Sequence, residues 1–275
     1  MTQPILTDMA ALARRRARAT PEGLFLHDLV AQDLQDRLAM VKKSFTDAVL
    51  ITPFPAHWQG LAADLPVAPR LVESADTLPL AEGEADLVIH VMDLHWRNDP
   101  VGQLIQCRRA LRPDGLFLGV FFGGETLSEL RACLGQAEIE VTGGLSPRIA
   151  PMGEVRDLGA LLQRAGLALP VADNDRTRVQ YANPLRLLQD LRTMGEGNAL
   201  NDRLRRPTRR AVFLRALELY QQSYADPEGR VPATFELITL TGWSPHESQQ
   251  QPLRPGSAMT SLAAALGTSE KPLKS

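Results

Sequence analysis

The stretch from Asp86 to Gly124 limits the possible folds of this chain more than any other. Asp86-Leu-Val-Ile-His-Val-Met92 is an apolar run of strand length, and Val101, Leu104, Ile105, Arg108 and Leu111 then recur at helical spacing. Leu111-Arg-Pro-Asp-Gly115 carries turn chemistry, because proline presets φ and glycine tolerates the left-handed region. Leu116-Phe-Leu-Gly-Val-Phe-Phe122 then reads as a second buried strand. Continuously apolar strands joined through a helix make a β-α-β unit, which pairs in parallel and needs helices on both sheet faces. The expected fold class is α/β, with a ligand crevice at the carboxyl ends of these strands.

The rest of the chain supplies partners for that unit. Residues 8–43 read as helical, with Leu24, Leu26, Leu29, Val30, Leu34, Leu38 and Val41 on one stripe. Asp47–Thr52 reads as the first strand, stopped by Pro53-Phe54-Pro55, with a short helix over 56–63 and a strand over Arg70–Ser74. Helices are expected over 125–138 and 155–165, the latter ended by Gly166. Leu167–Val171 and Arg176–Tyr181 read as strand segments around a polar turn, and Pro232–Leu240 as a last strand. The implied organisation is an N-terminal helical segment (1–45), a main domain (46–249) with a helical insertion (184–229), and a disordered Pro/Gly/Ser/Ala-rich tail (250–275).

Bulk properties narrow the function. A net charge of -2 over 275 residues argues against a dedicated nucleic-acid surface. No apolar run approaches bilayer-spanning length or resembles a signal-peptide core, so a cytoplasmic location without a membrane span is expected. Cys107 and Cys133 lack metal-ligand spacing, and no metal is expected. Arg14-Arg-Arg-Ala-Arg18 reads as a solvated helix face, with a targeting peptide or an anionic partner as the alternative. The Arg203, Arg205, Arg206, Arg209, Arg210 cluster also reads as a solvated face, with docking of an acidic protein as the alternative. His246-Glu-Ser-Gln-Gln250 lacks the second histidine of a zinc-protease helix.

The β-α-β unit resembles strands four and five of class I S-adenosylmethionine (SAM) methyltransferases. Further along stand Gly143-Gly-Leu-Ser-Pro-Arg-Ile-Ala-Pro151, Asp190-Leu-Arg-Thr-Met-Gly-Glu-Gly-Asn198, Val231-Pro-Ala-Thr234 and Gly242-Trp-Ser-Pro-His-Glu-Ser-Gln249. With these blocks the chain resembles the complex I assembly factor 5 family and its bacterial members. The resemblance implies a three-layer class I methyltransferase sheet related to the biotin-pathway methyltransferase, here trimmed around strand two. It also implies engagement of a complex I subunit during maturation, including hydroxylation of an arginine, and SAM as the cofactor of an active member.

A SAM site of this kind needs a glycine turn after strand one, where backbone amides approach the ligand. The family's Gly-x-Gly-type loop is replaced here by Thr52-Pro53-Phe54-Pro55-Ala56-His57-Trp58, in which the prolines lack N–H donors and Phe54 and Trp58 add bulk that would block the pocket. The adenine-clamp frame survives as Glu73-Ser74-Ala75-Asp76 before Thr77-Leu-Pro79, with Ser74 in place of the carboxylate, and Val91 and Met92 complete the degenerate pocket. Asp93, His95 and Glu125 are the candidate catalytic groups at the strand ends, able to orient a guanidinium or accept a proton. Loss of donors and gain of bulk favour a pseudoenzyme with no cofactor. The alternative is an active SAM-dependent methyltransferase or arginine hydroxylase, and a third reading is a small-molecule carboxyl methyltransferase.

Overall fold

The computed structural model describes residues 5–250 and 267–268. It comprises a compact unit, Met1–Pro245, and a second, His246–Ser275, of which only 246–250 and 267–268 are described, so the expected disordered tail lies almost wholly outside the described residues. In chain order the first unit holds α1 (Met9–Arg16), α2 (Phe25–Met40), β1 (Ala48–Thr52), α3 (Pro55–Leu61), β2 (Arg70–Glu73) and β3 (Ala85–Val91). It continues with α4 (Pro100–Ala110), β4 (Leu111–Phe122), α5 (Ser128–Thr142), α6 (Val155–Arg164) and β5 (Ala168–Tyr181). α7 (Pro184–Thr193), α8 (Arg210–Tyr224) and β6 (Val231–Trp243) complete it.

The sheet has six strands in the order β2-β1-β3-β4-β6-β5. β1 pairs in parallel with β2 and β3, β3 in parallel with β4, and β6 returns antiparallel between β4 and β5. Beyond β1 a single strand remains on that edge, as the trimming expected from the sequence requires. Side-chain alternation on the central strands divides the core into layers. Leu50, Leu87, Ile89, Leu116 and Leu118 face α2, α3, α5 and α8. Val49, Ile51, Val88, Phe117 and Phe121 face the opposite way, with Leu104 and Cys107 of α4 and Leu162 of α6. The result is a three-layer α/β fold.

Several sequence expectations change. The helix expected over 8–43 is broken between α1 and α2, because Thr20 is extended ahead of Pro21 and a short 3-10 turn follows. Leu29, placed on the apolar stripe, is 38% exposed. The polar turn expected inside 167–181 does not form: β5 runs unbroken, since an antiparallel ladder from Val171↔Thr241 to Tyr181↔Val231 satisfies its backbone, and most of its polar side chains are solvent-exposed on this edge strand. The Pro-Asp-Gly segment is absorbed into β4, with Asp114 at φ 61 beside a register shift. α5 starts at Ser128, after the Gly123-Gly124 turn and a left-handed Leu127 at φ 55.

Candidate functional site

The end of β1 offers few backbone amides, and those of Phe54, His57 and Trp58 are already bonded. Phe54 N–H donates to Thr52 Oγ1 at 3.2 Å, and the His57 and Trp58 amides turn back onto the Phe54 carbonyl at 3.1 and 3.2 Å. Pro53 and Pro55 have none to give. Phe54 stays partly exposed, its ring edge-on to His27 at 5.3 Å between centroids. Trp58 corrects the expectation that it fills the crevice: its side chain is fully buried in the core beneath α2, where its indole N–H reaches His27.

At the neighbouring strand ends the expected cofactor residues are bound up locally. Glu73, the last residue of β2, is exposed opposite Thr52. Ser74 N–H donates to the Thr52 carbonyl at 3.0 Å, and its buried hydroxyl has no partner among the described residues. The carbonyls of Ala75 and Asp76 accept from Gln103 Nε2 at 2.9 and 2.8 Å, which ties this segment to α4. Val91 and Met92 are sealed in the core, and Met92 adopts a left-handed φ of 55.

Asp93 is fully buried and saturated by cations. Arg16 of α1 grips one carboxylate oxygen and Arg97 the other, while Arg97 also reaches Asp76 at 3.0 Å. Burial alone would raise the Asp93 carboxyl. The Arg16 and Arg97 charges, aided by His90, instead hold it well below the usual carboxylate range. A carboxylate so paired locks α1 to the sheet and is closed to proton transfer. This also corrects the reading of Arg14–Arg18 as a solvated face, since the Arg16 side chain is only 10% exposed. Arg203 and Arg205, also read as solvated, both pair with Asp8.

His95 and Glu125 part company. Glu125 is half exposed, pairs with Arg176 at 3.4 Å, and donates its N–H to Glu236 at 2.9 Å, because the turn after β4 carries it toward β5 and β6. His95 turns inward against Phe122, with ring centroids 4.9 Å apart, and its Nε2 lies 3.4 Å from Glu196 Oε2. Trp96 Nε1 donates to the same oxygen at 2.6 Å, and no hydrogen bond to Oε1 is made among the described residues. Burial would raise the Glu196 carboxyl. The His95 hydrogen bond and charge, with Arg16 and Trp96, lower it instead, so it is held as the anion.

Glu196 lines a cavity of about 260 Å³ bounded by Trp96, Phe122, Leu130, Phe213 and Phe235, with Arg15, Arg18, Arg148 and Arg192 also on its wall. A second cavity of about 520 Å³, lined by His95, Arg97, Phe121 and Leu158, lies near the same strand ends. Neither is lined by Phe54, Glu73, Ser74, Asp93 or Glu125. Sequence reasoning missed Glu196. Its signal is the Gly195-Glu196-Gly197 triplet: a Cβ on Gly195 would lie 3.0 Å from the Arg16 Cα, and one on Gly197 would lie 2.6 Å from Arg15 Cδ. The flanking glycines let α1 close directly on the loop that presents the carboxylate. Among the described residues no cluster of His, Cys, Asp and Glu is set to hold a metal, and no helix is long and apolar enough to cross a membrane.

The β1 end does not fit a SAM molecule held by a backbone amide nest. Its proline pair offers no donors there, the Phe54 amide is taken, and the buried Asp93 carboxylate beyond β3 is neutralised by Arg16 and Arg97.

Comparison with known proteins gives a consistent picture. A family model described as a methyltransferase domain matches residues 60–119. The protein named arginine-hydroxylase NDUFAF5, mitochondrial, of Danio rerio is 36% identical over 267 residues, covering 95% of this chain and 75% of that protein. Its Homo sapiens namesake is 43% identical over 185 residues, but those span 67% of this chain and only about half (53%) of the human protein. A malonyl-[acyl-carrier protein] O-methyltransferase of Laribacter hongkongensis is 34% identical over 190 residues, covering 69% of this chain and 61% of that enzyme. The crystal structure of the YcgJ protein of Bacillus subtilis shares the fold, with a TM-score of 0.51 and 11% identity over 78% of this chain and 99% of that one.

Proposed function

Because this chain belongs to the family of the arginine-hydroxylase NDUFAF5, we propose that it engages an arginine-bearing segment of a complex I subunit during maturation, with a degenerate SAM site. The observation that carries this reading is Glu196. A buried carboxylate is costly unless it meets a partner, and here one oxygen is left for an incoming donor at an apolar, aromatic wall. An arginine suits that wall, since its methylene stem covers apolar surface while the guanidinium donates to Oε1 and stacks on Trp96 or Phe122. His95 and Trp96 orient Glu196 and keep it ionised. In this role His95 is a positioning residue and Asp93 a structural one.

The strand ends favour docking over group transfer, because the prolines after β1 give no donors, the Phe54 amide is taken, and the Asp93 carboxylate beyond β3 is neutralised. A second reading, in which SAM still binds and the arginine is modified, draws on the unpartnered Ser74 hydroxyl beside Glu73. A SAM molecule bound there would supply an activated methyl group, and Glu73 and Ser74 are the side chains that would hold it.

The test is complementation of a strain lacking this chain, read as complex I content and NADH:quinone activity. Wild-type restores both, whereas Glu196→Gln, which keeps size but loses the charge, restores neither fully while accumulating as folded protein. Normal complex I in the uncomplemented strain would overturn the reading.

A further inference from the structure

We infer that the segment received by this cavity carries acidic side chains beside the residue it inserts, and that Arg15, Arg18 and Arg192 read them. The inference rests on the docking proposed above and specifies its partner. The chain carries a net charge of -2, yet the cavity wall gathers Arg15, Arg18, Arg148 and Arg192 against one carboxylate, Glu196. Arg148 is accounted for, because it pairs with Glu138 at 2.7 Å and donates to Thr208 at 2.9 Å. The other three are not. Arg15 donates from Nε to the Asn198 carbonyl at 3.0 Å, and no carboxylate among the described residues pairs with Arg15, Arg18 or Arg192.

The cost of this arrangement registers on Arg15 itself. Burial, and then the like charges of Arg203, Arg18, Arg192 and Arg14, push its guanidinium below the ordinary arginine value. Uncompensated like charge around an apolar opening matches an occupant of opposite sign. It also resolves a conflict within the docking reading. A lone arginine approaching Glu196 would pass three unpaired guanidinium groups and be repelled. Flanking carboxylates turn that repulsion into attraction, while the arginine still reaches the anion on the cavity wall. Apolar walls of Leu130, Phe213 and Phe235 disfavour a small free anion as the occupant and favour a peptide side chain with charged neighbours.

The experiment is a two-by-two set of fluorescein-labelled nonapeptides, with arginine or leucine at the centre and aspartate or asparagine as flanks. Each is titrated with the full chain and followed by fluorescence polarisation. Aspartate flanks should tighten binding about tenfold or more with either centre, and most of that gain should vanish between about 50 and 300 mM salt. An Arg18→Glu, Arg192→Glu double variant should lose the preference. Both side chains are exposed and unpaired among the described residues, so its melting temperature serves as the check that the fold is intact. Equal binding of both flank types, a preference that survives the double variant, or no binding of the aspartate-flanked peptides would overturn the inference. The docking reading fails separately: if leucine centres bind as well as arginine centres, Glu196 is not an arginine acceptor, whatever the flanks show.

Discussion

The indole N–H of Trp58 meets Nδ1 of His27 at 3.0 Å, joining α3 to α2 inside the core. The geometry fixes the imidazole as an acceptor at Nδ1, so its neutral form carries the proton on Nε2. A tryptophan that looks in sequence like an obstacle to a ligand is in fact a strut beneath the strand that would have held it.

Removing that strut should be expensive in stages. Trp58→Phe keeps most of the volume but leaves the His27 nitrogen without a donor, costing about 1–3 kcal/mol in urea denaturation. Trp58→Ala should cost about 3–5 kcal/mol through the cavity it creates. Phe54→Ala, at a partly exposed ring, should stay near 1 kcal/mol. If Phe54→Ala proves as damaging as Trp58→Ala, the assignment of Trp58 to the core is wrong.

Acid should destabilise the protein well above the carboxylate range. Burial foremost lowers His27 to about 3 and His90 to about 4 from an ordinary 6.5. Both folded-state values are depressed, so the unfolded chain binds more protons below that point. The stabilisation is complete above pH 6.5 and is lost as pH falls toward 4, each histidine adding up to about 1.4 kcal/mol per pH unit to the slope. Denaturation curves from pH 8 to 4.5 measure this, and His90→Leu should flatten the profile by one histidine's share.

Asp93→Asn tests the ion cluster. Substitution leaves the buried Arg16 guanidinium without its anion and Arg97 with Asp76 alone, and should cost about 3–5 kcal/mol. A loss under 1 kcal/mol would mean that the cluster is not what fastens α1 to the sheet.

Titration calorimetry with SAM should show no binding tighter than about 100 µM for the wild-type chain, a limit equivalent to roughly -5.5 kcal/mol. Micromolar affinity would instead support the second reading, with Glu73 and Ser74 as the residues to substitute next.

Much of the architecture is legible in local sequence, because strand and helix periods repeat within a few residues. Val88 and Ile89 announce a strand buried on both faces, and the spacing from Val101 to Leu111 announces the helix that follows. The long β5 is not legible, since its polar residues are held in a strand by β6, some sixty positions away in the chain. The candidate site shows the same division. The missing amide nest at Pro53 and Pro55 is visible by inspection. The pairing of Arg16 with Asp93, and of Trp96 with Glu196, joins residues 77 and 100 positions apart, and no spacing rule signals it. In sequence, Arg15 and Arg16 therefore look like surface charge, although one lines the cavity and the other neutralises Asp93.

The two arginines next to each other on α1 give this short helix a double duty. Arg16 fastens it to the end of β3, and Arg15 borders the cavity on the loop that carries Glu196. Anything that lifts the helix, whether a truncation, a fused leader or a neighbouring protein, would release the clasp and reshape the portal in a single movement. Changes near residue 16 should thus be felt at residue 196.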